Sequence, residues 1–166
     1  LYGSFGLRRV YYSAFSPIPD ASRQLPLSEP PLLREHRLYQ ADWLTRFYGF
    51  EVGEILDDGA GGMLDLAVDP KLAWALRHRA RFPVDVNRAD RETLLRVPGL
   101  GTKSVGKILE TRRFRRLRLE DVGKIARSIT TLRHFIVAEG WRPGASLDSE
   151  RLKQHLAPKP QQLALL

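Results

Sequence analysis

The sequence contains no cysteine. That absence excludes a disulfide framework, a thiolate nucleophile, a cysteine zinc site and cysteine ligands to an iron–sulfur cluster among these residues. Histidine is sparse and scattered, with 4 in 166 residues, so no metal-ligand spacing stands out. There is no run of the roughly 18 apolar residues that a membrane-crossing helix needs. The opening LYGSFGLRRVYY lacks the apolar core of a signal peptide. These absences lead to the expectation of a cytoplasmic protein with no membrane partner. The chain also begins at Leu1 inside an apolar and aromatic stretch, without an initiator Met, as a fragment of a longer protein would.

Apolar residues make up 43% of the chain, enough to build a buried core over part of its length. Positive charge is in excess, at a net +8 and a pI near 10.2. For a protein without a membrane segment this points to a polyanionic partner, nucleic acid before membrane. The excess is local. Between Arg96 and Arg118 the positive residues are Arg96, Lys103, Lys107, Arg112, Arg113, Arg115, Arg116 and Arg118, against Glu110 alone. That window carries +7, and all other residues together sum to +1.

Along the chain, LRRVYYSAFSPIP at Leu7 to Pro19 reads as a buried strand closed by prolines, on which Tyr11, Tyr12 and Ser13 are expected in the core. Five of the 11 prolines fall between Pro17 and Pro31, predicting an extended connector. Leu33, Leu38, Trp43, Leu44 and Phe47 recur at roughly helical spacing among charges, predicting an amphipathic helix ended by Gly49. DDGAGG at Asp57 to Gly62 reads as a flexible loop that lacks the ligand spacing of a calcium site. Asp69-Pro70 is a helix start with a capping Asp and Pro at the first helical position, and that helix is predicted to run to about Arg81. A second start is predicted at Asn87, with Asp90 three residues on, leading through Leu94 and Leu95 to Pro98. Val105, Ile108 and Leu109 share a face, predicting a helix from about Thr102 to Arg112. LEDVGKIARSITTLRHFIVAEGW offers two further helical stretches around Gly123, with Ile125, Ile129, Leu132 and Ile136 facing inward. Past Pro143 the chain turns polar and proline-rich, predicting a loose tail.

The stretch RVPGLGTKSVGKI between Arg96 and Ile108 holds the chemistry. Two glycines permit a sharp turn that exposes backbone N–H groups, and the following helix adds its own unpaired N–H groups and the positive end of its dipole. Such a turn seats an anion, and a phosphate fits it without any base-specific side chain. Leu100 is expected to point inward as the wedge between the helices.

These residues, from about Asp85 to Arg113, resemble a helix-hairpin-helix motif, which grips the sugar-phosphate backbone of DNA. Thr102 stands where that motif commonly has Pro, and Val105 where it commonly has a small Ala. LEDVGKIARSITTLRHFI resembles a degenerate second hairpin. The motif also occurs in DNA glycosylases, but here the hairpin runs directly into TRRFRRLRLED. Asp121 is placed for helix capping there, and Lys103 is placed in solvent rather than in the apolar site an amine nucleophile needs. The wider sequence, VYYSAFSPIP, then REHRLYQADWL, then FPVDVN, resembles the C-terminal portion of a group of radical S-adenosylmethionine proteins of DNA modification or repair.

That resemblance implies a mainly α fold: a helix-hairpin-helix domain over 68–141, preceded over 1–56 by one strand plus helix left from a partial α/β barrel, with a linker over 57–67 and a tail over 142–166. It implies a 4Fe-4S cluster and S-adenosylmethionine in a part upstream of this chain, none here, and a chain not catalytic by itself. It further implies sequence-independent binding of duplex or single-stranded DNA by Pro98, Gly99, Leu100, Gly101, Thr102, Lys103, Ser104, Lys107, Arg112 and Arg113. It allows a monovalent cation on the carbonyls of the Pro98 to Gly101 turn and a DNA repair protein as partner. The alternative is a protein-docking hairpin with no direct DNA role, whose partner surface would centre on Trp141 and the tail.

Overall fold

The computed structural model describes Gly6 and residues 10–12, 31–56, 61–144 and 151–157. The chain is mainly helical. In order come α1 (Leu32–Phe47), α2 (Val52–Ile55), α3 (Pro70–Arg77), a 3-10 turn (Arg79–Arg81), β1 (Val84–Asp85), α4 (Arg91–Arg96), α5 (Thr102–Thr111), α6 (Leu119–Ile125), α7 (Ile129–Leu132), β2 (Ile136–Val137) and α8 (Leu152–Leu156). β1 and β2 form a two-stranded parallel sheet, with Val84 opposite Ile136 and Asp85 opposite Val137.

One continuous apolar cluster organises these elements. Trp74 of α3 lies at its centre, fully buried, with the Phe50 ring edge-on at 5.3 Å and the His78 ring stacked at 4.5 Å. Leu44 of α1, Ile55 of α2, Leu94 and Leu95 of α4, Val105 and Ile108 of α5, Leu132, Phe135 and Ile136 complete it. Burying side chains of this size contributes about 1.5 to 3 kcal/mol each. Leu44, Phe50 and Ile55 therefore share a core with the hairpin region. Arg96 reinforces this join: its guanidinium pairs with Glu54 at 2.8 Å, donates to the Gly49 carbonyl and lies over the rings of Phe50 and Trp74.

Several predicted helix starts are present. The Asp69 carboxylate accepts from the Leu72 N–H, with Pro70 at the first helical position, and α3 gives way to the 3-10 turn before Arg81. The second start is at Asp90 rather than Asn87: the Asp90 carboxylate accepts from the Thr93 N–H. Asn87 pairs instead with a distant backbone, its amide donating to the Leu117 carbonyl and accepting from the Leu117 N–H. Both bonds need the chain to close on itself, which local spacing does not report.

Other expectations are corrected. Ile136 is buried as predicted, but on β2 rather than a helix, because the Val84 N–H reaches the Phe135 carbonyl and sheet pairing overrides the local helical pattern. Part of the predicted tail is a docked helix, with Leu152 of α8 buried and Lys153 paired with Asp65. Tyr11 is 75% exposed, so it is not a core residue. Most of the predicted N-terminal strand and the proline connector lie outside the described residues. At Tyr12, the backbone N–H and carbonyl both bond the Tyr39 hydroxyl of α1.

Candidate nucleic-acid interface

α4 and α5 pack against one another across the turn Val97–Gly101. Pro98 and Leu100 are buried in that junction, Leu100 as the wedge, with its N–H donating to the Val97 carbonyl at 3.2 Å. Gly99 has φ +88°, a conformation that side chains rarely adopt, and a Cβ there would lie 3.3 Å from Leu132 Cβ. The turn is thus braced from behind by α7 while its outer edge faces solvent.

Gly101 caps α5 without a side chain, and the first backbone bond of the helix runs from the Val105 N–H to the Gly101 carbonyl. Among the described residues the N–H groups of Gly99, Gly101, Thr102, Lys103 and Ser104 have no backbone acceptor. No acid stands in the first turn of the helix. Unpaired donors and the positive end of a helix thus gather at one turn, an arrangement to which an anion adds stability.

The structure divides the predicted residues into two groups. Gly99, Gly101, Thr102 and Lys103 lie at the start of α5, Lys107 in its middle and Arg113 just past its C-terminal end, and the side chains of Lys103, Lys107 and Arg113 are exposed. Pro98, Leu100, Ser104 and Arg112 face the protein. The Ser104 hydroxyl donates to the Ile125 carbonyl at 3.3 Å, which ties α5 to α6. Arg112 donates to the carbonyls of Val86 and Ala89 at 3.1 and 2.6 Å, closing the end of α5 onto the loop after β1.

The charge excess is similarly reduced by folding. Arg96 is paired with Glu54, Arg115 holds both oxygens of Asp121 at 2.8 Å, and Arg118 lies 3.7 Å from Glu139. The Arg115 guanidinium, helped by the Arg118 N–H, lowers the Asp121 carboxyl to about 2. Lys103, Lys107, Arg113 and Arg116 remain exposed, with no ion pair among the described residues. Arg116 was not among the predicted contacts, and Phe114 beside it is 84% exposed.

At the turn's inner edge stands Lys71 of α3, only 7% exposed, which donates to the Leu100 carbonyl at 2.6 Å with its ammonium 4.7 Å from the Tyr48 ring. Burial pushes its pKa down to about 7, against the opposing pull of Asp69. Lys71 thus takes one acceptor site of the Leu100 carbonyl.

Comparison with known protein families, curated proteins and solved structures found no match to this chain. Among the described residues no cluster of three or more His, Asp or Glu is placed to hold a metal ion. No described helix is long and apolar enough to cross a membrane.

Proposed function

We propose that this chain binds DNA independently of base sequence, gripping phosphates at the Gly99–Gly101 turn and the first turn of α5. The observation that carries this reading is the coincidence of an uncapped helix start, a glycine turn open to solvent and exposed Lys103, Lys107, Arg113 and Arg116 on one stretch. The N–H groups of Gly99, Gly101 and Thr102 would take one phosphate, and the cations its neighbours along the strand. Nothing in this set reads a base edge, so the grip is to the backbone of duplex or single-stranded DNA alike. The helix-hairpin-helix resemblance supports the same assignment and places α6 and α7 as a second, degenerate hairpin that braces the first.

The resemblance to radical S-adenosylmethionine proteins of DNA modification or repair gives this grip a place: it would hold the strand for chemistry performed elsewhere in a longer protein. No cysteine is present to ligate a 4Fe-4S cluster, so no step of that chemistry is assigned to these residues.

Gly101→Asp combined with Lys103→Glu places two negative charges at the seat. The φ of Gly101, −98°, admits a side chain, and the nearest atom to a Cβ there is the Tyr48 hydroxyl at 3.5 Å. The double variant is expected to lose DNA binding in fluorescence anisotropy while its far-ultraviolet circular dichroism is unchanged. Retained affinity with retained fold would contradict the phosphate seat.

A further inference from the structure

Beside the turn lies a cleft of about 630 Å³ between α1, the start of α3 and the loop joining α6 to α7. One wall is aromatic: Tyr39 and Trp43 sit one helical turn apart on α1, and Tyr48 follows at its end. Trp43 is 54% exposed, although the spacing of α1 had placed it on the apolar face, and it is held in a tilted stack on Phe47 with ring centroids 4.4 Å apart. The opposite wall is the Gly99–Gly101 backbone, with buried Lys71 at its base and exposed Arg127 on its rim. An aromatic wall, the Arg127 cation and a backbone edge thus meet at one cleft beside the proposed phosphate seat.

We propose that this cleft takes an unpaired nucleotide of a DNA strand, its base stacked on Trp43 and its phosphate drawn by Arg127. The inference rests on the DNA-binding reading and sharpens it, since it gives single-stranded or locally opened DNA an added contact. A paired base is already stacked on both faces within the duplex and has no free face to offer Trp43, whereas an unpaired base does. Exposed Arg127 on the rim and the proposed phosphate seat beside it favour this occupant over an apolar peptide or helix. Asp69, also on the wall, has one carboxylate oxygen committed to capping α3.

The test compares wild type, Trp43→Ala, Trp43→Phe and the Gly101→Asp/Lys103→Glu variant by anisotropy, on one labelled oligonucleotide in single-stranded and in duplex form. Trp43→Ala is expected to weaken single-strand binding about tenfold, as loss of one base–aromatic stack does, and to leave duplex binding within about twofold. Trp43→Phe is expected to restore most of the single-strand affinity, which separates stacking from any loss of fold. Equal weakening on both forms, or no weakening on either, would overturn the cleft while leaving the phosphate seat standing, provided the hairpin variant still abolishes binding. Absence of wild-type binding to both forms would overturn the seat and the cleft together.

Discussion

Lys71 shows how one residue ties the fold to the interface. Its ammonium is buried against the Leu100 carbonyl and the Tyr48 ring, with Asp69 the acid near it, and its pKa falls from 10.5 to about 7. In the unfolded chain the same group keeps its ordinary value. Between the two values the unfolded chain therefore binds a proton that the folded chain does not, and stability rises with pH. Denaturant titrations from about pH 7 to about pH 9 should show this rise in the wild type, and Lys71→Met should flatten it. A second residue-scale prediction concerns Gly99. A side chain there meets both a positive φ of +88° and Leu132 at 3.3 Å, so Gly99→Ala should destabilise. A cost of roughly 1 to 3 kcal/mol in urea unfolding is expected. The glycines and the wedge Leu100 were legible from PGLG alone, because a turn between two helices demands them. Lys71 was not: a lysine in the first turn of a helix reads as solvated, and its acceptor lies 29 positions along the chain.

At the scale of elements, local signals located helices better than they oriented them. The start expected at Asn87 falls at Asp90 because Asn87 pairs with Leu117, but the cap at Asp69 and the glycine start of α5 act within three residues, so sequence spacing reports them directly. Asp121 belongs with these: its carboxylate accepts from the Arg118 N–H at the start of α6 while holding Arg115. Asp121→Asn should therefore lower the thermal unfolding temperature slightly, since the charged acceptor at the start of α6 and its pairing with Arg115 are lost. It should also release Arg115 and raise the local charge, tightening DNA binding severalfold at low salt; an unchanged affinity would place Arg115 outside the interface. The face of α1 was misread, since Leu44 alone of its predicted apolar stripe is buried while Trp43 and Phe47 are exposed. A period of three to four gives a stripe but not what covers it. β2 was read as helix because Phe135 to Val137 follow a helical pattern, and only pairing with β1 makes them a strand.

For the whole molecule, the decisive difference between sequence and structure is electrostatic. The sequence places +7 between Arg96 and Arg118, but Glu54, Asp121 and Glu139 come from outside or beyond the hairpin to meet Arg96, Arg115 and Arg118. Arg112 is held by backbone carbonyls. Folding thus narrows a broad basic stretch to Lys103 and Lys107 on α5 and Arg113 and Arg116 just past its far end, a spread of cations that suits several phosphates. The shared core from α1 to α8 holds this edge rigidly, since Arg96, Ser104 and Arg112 all anchor the hairpin to its neighbours. The measurement that tests the central claim most directly is the salt dependence of affinity for two duplexes of unrelated sequence, followed by fluorescence anisotropy. With about four phosphates neutralised, the logarithm of the binding constant should fall by about 3 to 4 for each tenfold rise in salt, equally for both sequences. Absence of binding at low salt, or a strong preference for one sequence with little salt dependence, would contradict it.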